Sequence, residues 1–185
     1  MSNPTPIFID QNIIVPSSEE TCLFDHKDIN ALLKTRAFPN SVVIKSYDLK
    51  DKADLASETW VCFLHYPFSI GMTYPFPALV NQFFETTKLC YSQAMPMVWR
   101  ILFMLCQLNE NRGLGIGLPE IAASYQLRTH GSSRFVLQSR VGKRQIIPRS
   151  SHNDFDWKRK FFFVKRSSIP GGKELPVLWV KKGRF

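Results

Sequence analysis

The chain has 185 residues, with 24 Lys and Arg against 15 Asp and Glu and a formal net charge of +9. It is 44% hydrophobic and 13% aromatic, a composition that excludes a disordered chain, a collagen-like chain and a coiled coil. A chain of this length buries about 70% of its unfolded surface. The composition therefore predicts one sizeable core and not two full domains.

The positive charge is concentrated in the last third of the chain. Residues 121–185 hold 15 of the 24 basic residues and 3 of the 15 acidic residues, whereas residues 1–120 are mildly acidic. Such an imbalance favours contact with phosphate groups or with another acidic partner.

Cysteine usage and hydropathy indicate the environment of the protein. Four scattered cysteines are too few for a disulfide framework, which predicts reduced thiols. The N-terminus lacks the basic and apolar stretches of a secretory signal, and the most apolar segment, Met95–Leu108, is short of a membrane span. We expect an intracellular protein, in the nucleus or the cytoplasm, without a membrane partner.

The first part of the chain is polar. Residues 1–24 are rich in Pro, Ser, Thr and Asn and predict a mobile arm. Residues 25–56 predict a short helix over Asp25–Arg36 with Asp25 as its cap, a short extended segment over Ser41–Ser46 and a charged linker. Residues 57–185 form the main predicted domain.

Helical periodicity dominates the middle of the chain, after a core that begins near Trp60. The prolines and the glycine of Tyr66–Pro77 predict irregular structure there. Helices are predicted over Pro77–Leu89, over Pro96–Asn109 and from Pro119 to Tyr125. The second helix is apolar almost all round, which predicts a central position.

The period changes to two over Arg134–Arg140, which predicts a strand. A turn then leads into Gln145–Ile147 as the second strand of a hairpin. Lys160–Lys165 predicts a strand that is apolar on both faces, and Gly171-Gly172 turns the chain into a last strand over Val177–Val180. The outline is α+β, an N-terminal helical part packed on a small C-terminal antiparallel sheet.

Motifs that resemble reactive sites are incomplete. Cys62-x-x-His65 supplies two ligands where a structural zinc site needs four. Gly113–Gly117 lacks the spacing and the preceding strand of a dinucleotide loop. Ser150–Asp154 holds the residue types of a hydrolase triad, but neighbouring residues cannot converge as a triad does. We therefore expect no catalytic residue, no metal site and no cofactor.

The basic third contains the candidate site. Its cations interleave with aromatic residues, as in surfaces that bind phosphates and stack bases. In the alternative interpretation, Phe161–Phe163 form the core of the sheet and the cations only its solvated rim. The candidate nucleic-acid contacts are Arg140, Lys143, Arg144, Lys158, Arg159 and Lys160.

Four motifs follow one another between residues 57 and 180. They are Phe68-x-x-Gly71-x-x-x-Pro75, Ser92-Gln93-Ala94-Met95-Pro96-x-x-Trp99-Arg100, Arg134-Phe135 with Gly142-Lys143-Arg144, and Asp156-Trp157-Lys158-Arg159-Lys160-Phe161-Phe162-Phe163-Val164. In this order they resemble a plant family, the gypsy-type transposon (transposase) domain of proteins derived from Ty3/gypsy-like retroelements. Thr73-Tyr74 and Ser133-Arg134 depart from its usual residues. The resemblance implies mobile-element ancestry and no catalytic residue.

The predicted function is that of a non-catalytic, retroelement-derived module. It would act through weak, salt-sensitive and sequence-tolerant nucleic-acid binding, or through assembly with other protein chains. The alternative is a pure interaction or relic domain whose positive charge only keeps it soluble.

Overall fold

The computed structural model describes residues 22–45, 52–54, 56–131, 133–143, 146–147 and 156–180. The helices in these ranges are α1 (His26–Lys34), α2 (Tyr66–Ser69), α3 (Ala78–Thr87), α4 (Pro96–Arg112) and α5 (Leu118–Ser124). The strands are β1 (Ile44–Lys45), β2 (Trp60–Leu64), β3 (Tyr125–His130), β4 (Arg134–Ser139) and β5 (Phe161–Lys165). The predicted α+β class is confirmed.

The strands form two antiparallel sheets. In the larger sheet, β5 lies between β1 and β2, with Trp60 opposite Lys165 and Leu64 opposite Phe161. Most residues of β2 and β5 are buried, so this sheet is covered on both faces. The smaller sheet is the hairpin of β3 and β4.

Aromatic rings fill the core around β2. Phe63 is fully buried, with its ring centroid 5.3 Å from that of Tyr91 and 5.5 Å from that of Phe38. Phe161, Phe162 and Phe163 of β5 are also buried. The interpretation of these three rings as core residues is therefore confirmed.

The predicted arm and the predicted linker region contribute to the same core. Cys22 and Phe24 are each 1% exposed, so the packed part of the chain already includes the last residues of the arm. Residues 1–21 lie outside the described residues. In α1, the predicted cap is present, because the Asp25 carboxylate accepts from the Lys27 and Asp28 amides at 2.7 and 3.0 Å. Ile29 of this helix joins the main core.

Helix α3 buries the predicted face, which consists of Leu79, Val80, Phe83, Phe84 and Thr87. The central position predicted for α4 is wrong. One side of α4 is buried, but Met104 is 44% exposed and Phe103 and Leu108 are half-buried. The apolar residues on the outer side therefore face a partly open surface.

Three local predictions are corrected. The segment predicted to be irregular contains the single turn of α2, because Pro67 stands in the first turn, where a proline costs no hydrogen bond. Helix α5 ends at Ser124, and Tyr125 begins β3. Strand β4 therefore pairs with the chain before it, across the turn at Gly131. Of the predicted second strand, Ile146 and Ile147 are described and lie in a bend, and Gln145 lies outside the described residues.

The predicted last strand over Val177–Val180 is also wrong, since only an isolated bridge at Val180 is present. The side chain of Gln93 bonds to the backbone of Val180. Its amide nitrogen donates to the Val180 carbonyl at 2.8 Å, and its amide oxygen accepts from the Val180 N–H at 3.1 Å. Val180 is thus held by a side chain that satisfies its backbone groups.

Candidate functional site

The predicted nucleic-acid contacts lie in two separate chain segments, which we call the two supports. Arg140 and Lys143 belong to the turn after β4, and Lys158, Arg159 and Lys160 precede β5. Arg144 lies outside the described residues.

We name the segment Arg140–Lys143 the Val141 turn. The Lys143 amide donates to the Arg140 carbonyl at 3.1 Å, and Gly142 adopts a φ of +72°, which favours glycine. Val141 stands at the tip and is 97% exposed. The turn thus projects an apolar side chain between basic residues.

The Val141 turn is anchored to the end of α5 by Arg140. The backbone amide of Arg140 donates to the Ser124 carbonyl at 2.9 Å. Its Nε donates to the carbonyls of Ala122 and Tyr125 at 2.7 and 3.1 Å. Arg140 therefore caps the helix end as well as carrying charge. Lys143 is the second exposed cation of this turn.

The second support is a 3₁₀ helix over Trp157–Arg159, followed by Lys160. The carbonyl of Arg159 accepts from the Leu23 amide at 2.7 Å, and that of Lys160 accepts from the His65 amide at 2.8 Å. The backbone is thus fixed at both residues. Lys160 is exposed, and Lys158 and Arg159 are half-buried.

The aromatic residues of the basic third do not form a stacking surface in the described part of the chain. Trp179 is 2% exposed, and Trp157 is half-buried. The guanidinium of Arg134 lies 5.1 Å from the Trp157 ring and 4.6 Å from the Trp179 ring. It also donates to the Ser92 carbonyl. These groups stabilise the interior and do not face a ligand.

A concave site that sequence reasoning missed lies beside α4. We name it the α4 groove, a cavity of about 500 Å³. Its apolar lining includes Met72, Leu79 and Phe103, and its polar lining includes Gln107 and Glu110. Cys106 and Glu110 are four residues apart on one helix, and this spacing alone puts both side chains on the same face. The approach of the Gly71–Pro77 loop could not be inferred from spacing.

The chemistry of the α4 groove favours binding over catalysis. Burial raises the pKa of the Cys106 thiol to about 11, and the neighbouring Glu110 carboxylate adds to this effect. The thiol is therefore protonated at neutral pH and is a poor nucleophile. Glu110 is the acidic residue of the lining, so the groove suits an apolar group that carries a positive charge.

The Cys62-x-x-His65 pair also lacks the features of a reactive site. Burial strongly raises the pKa of Cys62, and burial lowers that of His65, whose ring centroid lies 5.0 Å from that of Phe24. Within the described ranges, no group of three His, Cys, Asp or Glu side chains is placed to hold a metal ion. The same residues contain no helix with the length and apolar character that crossing a membrane requires.

Comparison with known proteins gives no relative from which a role could be transferred. No family model, no curated protein and no solved structure matches the chain.

Proposed function

We propose that this protein is a non-catalytic module that makes weak, sequence-tolerant contacts with the phosphate backbone of nucleic acids, in the nucleus or the cytoplasm. The observation that carries the proposal is the exposure of Lys143 and Lys160 on rigid backbone, with Lys158 and Arg159 beside Lys160. Lysine and arginine side chains neutralise phosphates and release counterions, and this interaction needs no sequence readout.

The buried aromatic residues support sequence tolerance. A protein that stacks bases presents rings at its surface. Here Phe161–Phe163 are buried, and Trp157 and Trp179 pack around Arg134. The contact is therefore limited to phosphates over the part of the chain that the structure describes.

The proposed ancestry is a gypsy-type retroelement. The residues that carry the resemblance have structural roles, since Phe161–Val164 belong to β5, and Ser92 and Gln93 accept hydrogen bonds from Trp179 and Val180. A resemblance that rests on core residues favours a shared fold and assigns no reaction to this chain. The placement of the motif residues in the core therefore supports a non-catalytic module.

The test is the salt dependence of binding to duplex DNA, measured by fluorescence anisotropy between 50 and 200 mM salt. If about four phosphates are engaged, log affinity against log salt has a slope of about −3.6. We expect K143E and K160E each to weaken binding and to reduce the slope by about one. The exposed Lys88 at the end of α3 supplies the control K88E, which makes the same charge change on an element that holds neither support.

No binding at 50 mM salt, or a slope near zero, would contradict the phosphate contact. Equal losses for K88E and K160E would contradict its location.

A second candidate is a protein-interaction module without a nucleic-acid role. The α4 groove and the exposed Met104 on the same helix favour it, because concave apolar surfaces of this size bind ligands or other chains. A flat salt profile for DNA together with binding of another protein chain at the α4 groove would support this candidate over the first.

A further inference from the structure

We propose that copies of this chain associate head to tail, with the Val141 turn of one copy inserted into the α4 groove of the next. The proposal goes beyond the phosphate contact. It states what binds in the α4 groove, a surface that the proposed phosphate contact does not use.

The Val141 turn has an exposed apolar tip on a hydrogen-bonded base. Val141 is 97% exposed, the largest exposure among the large apolar side chains that the structure describes. The turn is fixed before binding by Arg140, whose Nε donates to the Ala122 carbonyl at 2.7 Å and whose amide donates to the Ser124 carbonyl at 2.9 Å. A preorganised turn loses little conformational entropy when it docks.

The α4 groove is complementary to this turn in polarity and charge. Phe103, which is half-buried, offers apolar contact to a valine in a cavity of about 500 Å³, and the buried Met72 and Leu79 complete the apolar wall behind it. Glu110 is exposed at the groove, where it attracts a cation that accompanies the apolar tip. Lys143 follows Val141 by two residues and provides that cation.

The contact must form between copies. None of the four residues of the turn lines the α4 groove, so the turn does not occupy the groove of its own chain. Because the two surfaces are different parts of the molecule, their pairing is heterologous and leaves a free turn at one end and a free groove at the other. The contact area is small, which predicts weak and salt-sensitive chains of copies.

The test uses sedimentation velocity on nuclease-treated protein in 50 mM salt, at concentrations up to about 1 mM, where a contact of millimolar affinity is half formed. We expect the weight-average sedimentation coefficient of the wild type to rise with concentration. V141D and E110K should each reduce the association constant at least tenfold. An equimolar mixture of the two variants should form a 1:1 dimer, because V141D keeps an intact groove and E110K keeps an intact turn.

Matched controls separate this contact from general charge effects and from misfolding. L33D and E85K introduce the same types of change at exposed positions outside both surfaces and should leave association unchanged. Each variant is first checked for an unchanged circular dichroism spectrum and melting temperature. K160E should bind DNA less well but still associate, whereas E110K should lose association and still bind DNA.

Three results would overturn the proposal: a wild type that stays monomeric at about 1 mM, a mixture of V141D and E110K that shows no dimer, or association that disappears once nucleic acid is removed. The last result would leave the phosphate contact standing, whereas loss of DNA binding alone would leave the head-to-tail contact standing.

Discussion

At the scale of single residues, Gly172 occupies a position where no side chain fits. A Cβ atom there would overlap the carbonyl oxygen of Arg166 and lie 2.8 Å from its carbonyl carbon. Arg166 is itself fixed, because its Nε donates to the Gly172 carbonyl at 2.6 Å and its Nη1 to the Glu58 carbonyl at 2.9 Å. We expect G172A to lower the free energy of unfolding by at least about 2 kcal/mol, as measured by urea denaturation.

Gly113 provides the control for this prediction. It adopts a φ of +62° at the end of α4, and an added Cβ would meet no atom within 4 Å. G113A therefore costs only the left-handed backbone preference, about 1 kcal/mol. Equal losses for the two variants would contradict the steric explanation.

Trp99 and Trp179 form a second residue-level comparison. Both are buried, but the Trp99 Nε1 has no hydrogen-bond acceptor among the described residues, whereas the Trp179 Nε1 donates to the Ser92 hydroxyl at 2.8 Å. Replacement by phenylalanine removes an unsatisfied donor at Trp99 and a satisfied one at Trp179. We expect W179F to lose about 1–2 kcal/mol more stability than W99F, because a buried hydroxyl is left without its donor. Thermal unfolding of the two variants measures the difference, and a larger loss for W99F would contradict it.

His65 predicts a pH dependence of stability. Burial lowers the pKa of His65 in the folded protein, opposed by Asp28 and assisted by Lys160. The unfolded chain therefore binds a proton first, near pH 6.5, and the free energy of unfolding falls as the pH drops from about 6.5 toward the lowered pKa. The His65 contribution to this loss is complete below the folded pKa. Urea denaturation at pH 7.5 and 5.5 should show a smaller difference for H65Q than for the wild type, and equal differences would contradict the assignment.

At the scale of elements, hydrophobic periodicity predicted those features of helices and strands that depend only on residues close in sequence. The buried face of α3 and the apolar strand β5 follow directly from spacing. Strand β3 was missed because Tyr125 and Leu127 continue the apolar pattern of α5 as plausibly as they begin a strand. Whether β4 pairs with the segment before it or with the segment after it depends on tertiary packing. One such packing contact is the hydrogen bond from the Met95 amide to the Phe135 carbonyl at 2.9 Å.

The candidate site was less predictable than the elements. Charge alone identified Lys143 and Lys160, which are exposed. It could not show that Arg140 caps α5 or that Arg134 is buried between two tryptophans, because both depend on contacts with distant segments. The α4 groove depends on the approach of a loop to a helix, and no local pattern encodes that distance.

At the scale of the whole molecule, the four thiols report on opening of the fold. Cys22, Cys62 and Cys90 are buried, and Cys106 is half-exposed. We expect an aromatic disulfide reagent to modify Cys106 alone in the native protein, at a rate that rises about tenfold per pH unit below its pKa of about 11. The other three thiols should react only when the core opens.

The control for this prediction is C106S, which should show no reactive thiol until denaturant is added. Two thiols that react at the same native rate in the wild type would contradict the described burial.

The pairing of β2 with β5 also has a consequence during synthesis. β2 ends at Leu64, and its partner β5 begins at Phe161. Because ribosomes add about 5–20 residues per second, the apolar β2 strand waits about 5–20 s before its partner exists. During that time its backbone groups and the ring of Phe63 are open to other nascent chains. Yield of folded protein should therefore depend on chaperones that shield this segment while the basic third is still being translated.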